Sequence, residues 1–131
     1  MANFRNLRAW HAAEGLTIHT HRVTRMMRGA RSATLCDQLI RATMSVPINI
    51  VEGNAHRSTR ERARFFGYAL ASLWEVEGHL QLSSDLDMMS KKDYEALLEE
   101  TINARRMLYG LLKKERTWDE PKPQKRPKNN P

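Results

Sequence analysis

One cysteine in 131 residues excludes an internal disulfide and any paired-cysteine metal motif. A lone free thiol fits a reducing compartment. Cys36 stands between Leu35 and Leu39 in an apolar helical pattern, which marks it as a small buried hydrophobe rather than a nucleophile. Long apolar runs are also missing. None approaches the roughly 18 residues of a membrane helix, and the opening Met-Ala-Asn-Phe-Arg-Asn-Leu-Arg lacks the apolar stretch of a signal peptide, so the expected location is the cytoplasm. Alternating β-branched runs bounded by turn pairs are absent, which excludes a sheet-based fold. The chain has no glycine-rich phosphate loop and no serine nucleophile elbow. No catalytic apparatus and no cofactor are expected.

What the chain has is helical periodicity. Phe4, Leu7, Trp10, Ala13, Leu16, Thr20, Val23 and Met27 follow spacings of three and four, predicting a first helix over 3–28 that stops at Gly29. A second is predicted over 33–53 behind a Ser32 cap, with Leu35, Leu39, Ile40, Met44, Ile48 and Val51 inward and Gly53 as its stop. Pro47 inside it removes the hydrogen bond to the Thr43 carbonyl, so a kink or loosening rather than a break is expected there. Ser58 and Glu61 form a capping box for a third helix reaching about residue 87, with Phe65, Phe66, Ala69, Leu70, Leu73, Val76 and Leu80 on its apolar face. A fourth starts at Ser90 and carries Tyr94, Leu97, Leu98, Ile102, Leu108, Leu111 and Leu112 to about residue 116.

Four such helices with short connections pack most simply as an all-α, antiparallel up-and-down four-helix bundle over 1–116. Residues 117–131 differ. Pro121, Pro123, Pro127 and Pro131 among Lys, Arg, Gln and Asn predict a flexible basic tail.

The formal charge of +7 is unevenly distributed: segment 1–31 carries +5, 32–64 carries +2, 65–112 carries −4, and 113–131 carries +4. Up-and-down topology brings the start of helix 1, the helix 2–3 connection and the chain's end to one pole. All three are basic. Thirteen cations there face five carboxylates. Arginines at the start of helix 3 oppose the helix macrodipole by roughly 0.3–1 kcal/mol each, so folding alone does not select them. The alternative is a solvated end that serves solubility, with Arg stems covering apolar edges. The candidate nucleic-acid-binding residues are Arg57, Arg60, Arg62, Arg64, Lys113, Lys114 and Arg116. Arg22, Arg25 and Arg28 form a second, weaker stripe on helix 1.

Glu52 with His56 and Glu75 with His79 stand at i, i+4, one residue longer than the Glu-x-x-His pairs of di-iron bundles, and helices 1 and 4 offer no obvious facing carboxylates. No metal site is expected. His19 and His21 point to different sides of a helix and cannot chelate together. Trp10, Trp74, Phe65, Phe66 and Tyr68 are expected to pack in the core or an interface rather than to stack on bases.

Phe4-x-x-Leu7-x-x-Trp10-x-x-Ala13 and, more specifically, Leu35-x-x-Gln38-Leu39-Ile40-Arg41-Ala42-x-x-Ser45-Val46-Pro47-x-Asn49-Ile50-Val51-Glu52-Gly53 resemble the bacterial four-helix bundle proteins encoded in intervening sequences of large-subunit ribosomal RNA genes. Phe65, Ala69, Ser72, Leu73 and Glu75 extend the likeness into helix 3, and Tyr94, Leu98, Met107, Leu108 and Leu111 into helix 4. The chain departs from the family's pattern at His19–His21, where a tyrosine is usual, and at Met27 and Arg28, where Phe-Pro is usual. Through a related family, the accessory variability determinant proteins of diversity-generating retroelements, the resemblance implies a homopentamer that contacts RNA or DNA, or a reverse transcriptase. Apolar positions outside the bundle seam, Trp74, Met88 and Met89, would find cover between subunits. The sequence thus points to a non-enzymatic oligomeric binding protein. A protein-interaction scaffold without nucleic-acid binding is the alternative, with a bundle metalloenzyme third.

Overall fold

Short polar side chains start the helices by standing in for missing backbone partners. In the computed structural model, which describes residues 3–27 and 32–119 with side chains through Glu115, Asn3 caps a 3-10 turn over Phe4–Asn6. The helices are α1 (Arg8–Thr24), α2 (Ser32–Ala55), α3 (Thr59–Asp85) and α4 (Lys91–Asp119). Ser58 Oγ accepts the Glu61 amide at 3.4 Å, and Ser90 Oγ accepts the Asp93 amide at 3.1 Å, so α3 and α4 begin where the sequence places them. The Glu61 carboxylate lies 3.7 Å from Arg64 Nε.

A left-handed residue reverses the chain between α3 and α4. Asp87 has φ 56°, its amide reaches the Ser84 carbonyl at 3.0 Å, and the Met88 amide reaches Ser83 at 2.9 Å. That is a Schellman closure with aspartate where glycine is usual.

Each helix packs antiparallel to its chain neighbours, and α1 closes the ring against α4. The pairings Phe4 and Trp10 beside Val51, Ser45 against Ser72, Arg62 against Glu115, and His19 against Glu100 run in opposite directions along each helix pair. Among the described residues there is no strand, and no helix is long and apolar enough to cross a membrane. Leu16, Leu39, Val46, Ile50, Phe66, Leu73, Val76, Leu80, Leu97 and Leu108 fill the core. Buried Thr20, Thr43 and Thr101 return their hydroxyls to carbonyls of their own helices.

Several boundaries and faces differ from those the periodicity predicts. The first helix is preceded by the 3-10 turn and ends at Thr24, with Gly29 outside the described residues. In α2, Met44 and Ile48 face outward while Ala42, Thr43, Val46 and Ile50 turn inward, because α1 and α3 flank α2 on the other side. Ile102 is likewise exposed, and Thr101 and Ala104 are buried in its place. Met89, expected at the surface, is 8% exposed and belongs to the core. Helix α4 runs three residues past the predicted boundary, and the rest of the predicted tail lies outside the described residues.

Gly53 does not end α2, which continues to Ala55. A Cβ there would meet Phe66 Cε1 at 2.6 Å, so this glycine lets α3 approach rather than stopping the helix. Pro47 lies inside α2 without breaking it, as expected. The Thr43 carbonyl that it leaves open lies 3.2 Å from Thr17 Oγ1 on α1, which also reaches Ala13 O at 2.8 Å and shares its one proton between them.

Candidate nucleic-acid interface

The 3-10 turn, the α2–α3 connection and the end of α4 meet at one pole, as the topology argument requires. Arg8 and Lys114 line a common groove with Leu7 and Leu111, and Arg62 on α3 reaches Glu115 on α4. Eight cations with described side chains (Arg5, Arg8, Arg57, Arg60, Arg62, Arg64, Lys113 and Lys114) face Glu52, Glu61 and Glu115, a surplus of five.

These cations are not equivalent. Arg57, Arg60 and Lys113 are exposed, and no ion pair between described residues engages Arg57 or Arg60. Lys114 is exposed as well. Arg62 is committed elsewhere. Its Nε and Nη2 each stand 2.9 Å from Glu115 Oε1, and the two side chains are 24% and 9% exposed. An arginine that neutralises a buried carboxylate cannot leave for a phosphate without stranding that charge. Arg62 is thus the least free of these arginines to meet a phosphate. Arg64 is half-exposed, lies near Glu61, and sits 5.3 Å from the Phe65 ring and 5.8 Å from the Tyr68 ring. The Arg116 backbone belongs to α4, and its side chain is outside the description.

An aromatic cluster lies beside these arginines that sequence reasoning assigned to packing alone. His56 stacks on Phe65 with centroids 4.9 Å apart and planes at 11°, and Phe65 meets Tyr68 edge-on at 5.7 Å. Phe66 is fully buried, but Tyr68 is 49% exposed. The available signal was the pair Phe65 and Tyr68 at i, i+3 directly after Arg60 and Arg64. Trp74 is also half-exposed, with the Arg105 guanidinium 3.8 Å from its ring centroid and Arg105 Nη1 3.3 Å from Glu77.

The remaining chemical candidates separate in space. His56 is taken up by Phe65 rather than joined to Glu52. His79 turns Nε2 to Glu75 Oε1 at 3.4 Å, while its buried Nδ1 has no hydrogen-bond partner among the described residues. No group of three His, Cys, Asp or Glu able to hold a metal occurs among the described residues. His19 bonds Glu100 on α4 at 3.1 Å, whereas His21 turns to the Thr17 carbonyl of its own helix. Cys36 is half-buried, not fully buried, beside the Thr24 carbonyl and Met27 Sδ. Desolvation, and secondarily the Asp37 charge, push its thiol above the ordinary value, which disfavours the thiolate. Arg22 and Arg25 are exposed on the outer face of α1, and Arg28 is outside the described residues.

The bundle with a basic end defines the class, an all-α up-and-down four-helix protein. The chain belongs to the 23S rRNA-intervening sequence protein family, whose model matches residues 5–110. Arg57, Arg60 and the aromatic cluster fall inside the matched span, and Lys113 and Lys114 lie just beyond it. Among solved structures the chain is similar to a protein with unknown function from the S23 ribosomal protein family of Bacteroides thetaiotaomicron. That likeness has a TM-score of 0.72 at 15% identity and covers 80% of this chain and 98% of the other; at this identity it shows the fold alone. No curated protein matches the chain.

Proposed function

We propose that this is a non-enzymatic, homo-oligomeric binding protein, a pentamer, whose basic pole contacts nucleic acid or a nucleic-acid-bound partner such as a reverse transcriptase. The observation that carries this reading is the surplus of five positive charges at one end, with Arg57 and Arg60 exposed in the first turns around the α2–α3 connection. Cations so placed cost helix stability, and a phosphate partner repays that cost. Oligomerisation would cover exposed apolar side chains such as Ile18, Ile48, Trp74, Leu82 and Leu86, and would repeat the basic pole around an axis.

A salt titration of binding tests the reading. Wild-type protein should bind short oligonucleotides with an affinity that falls steeply as salt rises. The double variant Arg57→Ala/Arg60→Ala should bind more weakly on every sequence and with a shallower salt slope. Undetectable binding at low salt rejects the basic-pole assignment. Native mass spectrometry that finds only monomer rejects the pentamer.

One observation favours the scaffold reading. Phe4, Trp10, Ile18, Pro47, Ile48 and Val51 line an apolar groove of about 380 Å³ between α1 and α2, to which α3 contributes no residue. A partner complex that survives nuclease and is unaffected by Arg57→Ala/Arg60→Ala would favour the scaffold.

A further inference from the structure

Resting on the basic-pole reading, we infer that the cluster His56–Phe65–Tyr68 makes this pole a site for single-stranded nucleic acid, stacking unpaired bases while Arg57, Arg60 and Arg64 hold the phosphates. Charge alone does not distinguish strand types, because every nucleic acid presents phosphates. Aromatic faces do. A base offers its face to a side chain only when it is out of a duplex stack, and each such contact contributes roughly 1–3 kcal/mol with little regard to sequence.

The structure joins the two elements. Phe65 is covered on one face by His56, whose ring lies nearly parallel to it, so the stack spans the end of α2 and the start of α3. Tyr68 stands one helical turn further along, edge-on to Phe65, with its ring about half in solvent. The half-exposed Arg64 guanidinium lies within cation–π range of both rings and holds a charge directly over the cluster. Arg57 and Arg60 flank it on the connection and first turn. Packing requirements do not account for Tyr68, since Phe66, Ala69 and Leu73 already supply the inward face of this stretch. The same alternation of exposed ring and cation recurs where proteins track a single strand without reading its sequence.

Fluorescence anisotropy with the full chain tests this inference. The probes are a labelled single strand as RNA and as DNA, a duplex of the same sequence, and an abasic strand with the same number of phosphates. Tyr68→Ala should weaken binding of the base-bearing single strand, of either sugar type, roughly ten- to a hundredfold. It should leave duplex and abasic binding and the salt slope unchanged. Tyr68→Phe should retain wild-type affinity. Tyr68→Leu, which keeps apolar bulk and removes the π face, should behave as Tyr68→Ala, and circular dichroism confirms that each variant is folded.

Equal losses on all probes, or no loss on the single strand, overturn the stacking assignment. In either case the basic-pole reading still stands if Arg57→Ala/Arg60→Ala lowers binding and the salt slope. If wild-type protein binds none of the probes, the pole reading itself fails and the stacking assignment goes with it.

Discussion

The α2–α3 seam and the α1 flank are held in different ways. Across the seam the backbones approach closely enough that Gly53 has no room for a Cβ, Phe66 is fully buried beneath it, and Ser45 and Ser72 share a 2.7 Å hydrogen bond. Helix α1 is the shortest of the four, and polar bonds punctuate its contacts: Thr17 to the Thr43 carbonyl on α2, and His19 to Glu100 on α4. The seam depends on shape, which tolerates no added atom. The flank buries smaller apolar side chains, Ala9, Ala13, Leu16 and Val23, and adds a few hydrogen bonds, which are individually worth less.

The sharpest way to break this contrast is Gly53→Ala. The added methyl collides with a ring that has nowhere to move, so thermal or urea unfolding should show a loss of about 2 kcal/mol. Gly78→Ala in α3 is the control. A Cβ there meets nothing within 4 Å, and the better helix former should gain about 0.5–1 kcal/mol.

The α3–α4 ion pair comes next. Arg62→Ala leaves the buried Glu115 carboxylate without its partner and should cost about 2 kcal/mol, less than for a fully buried pair because Arg62 is partly solvated. Arg57→Ala and Arg60→Ala should stay within about 0.5 kcal/mol of wild type. Stability and oligonucleotide affinity measured on the same three variants should therefore separate, with Arg62 governing the former and the other two the latter.

On the flank, Thr17→Val removes the donor to the carbonyl opposite Pro47 and should cost about 1 kcal/mol. Hydrogen exchange should accelerate in α1 more than in α3. The smallest effect is expected at the reversal: Asp87→Gly relieves a left-handed backbone and should stabilise by about 0.5 kcal/mol, a gain readable as a higher urea midpoint.

The architecture was legible because its signals are local. Ser58 and Ser90 announce α3 and α4 within three residues of the amides they cap, and periodicity finds Leu73, Val76 and Leu80 without knowledge of a partner. What failed depended on the partner. Gly53 resembles a helix stop until Phe66, thirteen positions later, is seen to occupy the space above it. Met44 and Ile48 are as apolar as Val46 and Ile50, and only the positions of α1 and α3 decide which pair is covered.

The candidate site divides along the same line. Charge and topology brought the arginines to one pole. No pattern within residues 57–64 marks Arg62 as the one claimed by a carboxylate more than fifty residues away, and His56 meets Phe65 only because a short connection folds α3 back along α2.

The shared proton of Thr17 works as an address label. Helix α1 packs through small and medium side chains, Ala9, Ala13, Leu16 and Val23, and apolarity alone is a weak ruler of how far along its neighbours it sits. The carbonyl left open by Pro47 is a unique mark on α2, and Thr17 meets it in one alignment only. Displacing α1 by a turn would part Thr17 from that oxygen and carry Phe4 and Trp10 away from Val51. A residue that usually weakens a helix thus fixes how far along the bundle its neighbour sits, and with it which side chains arrive together at the basic end.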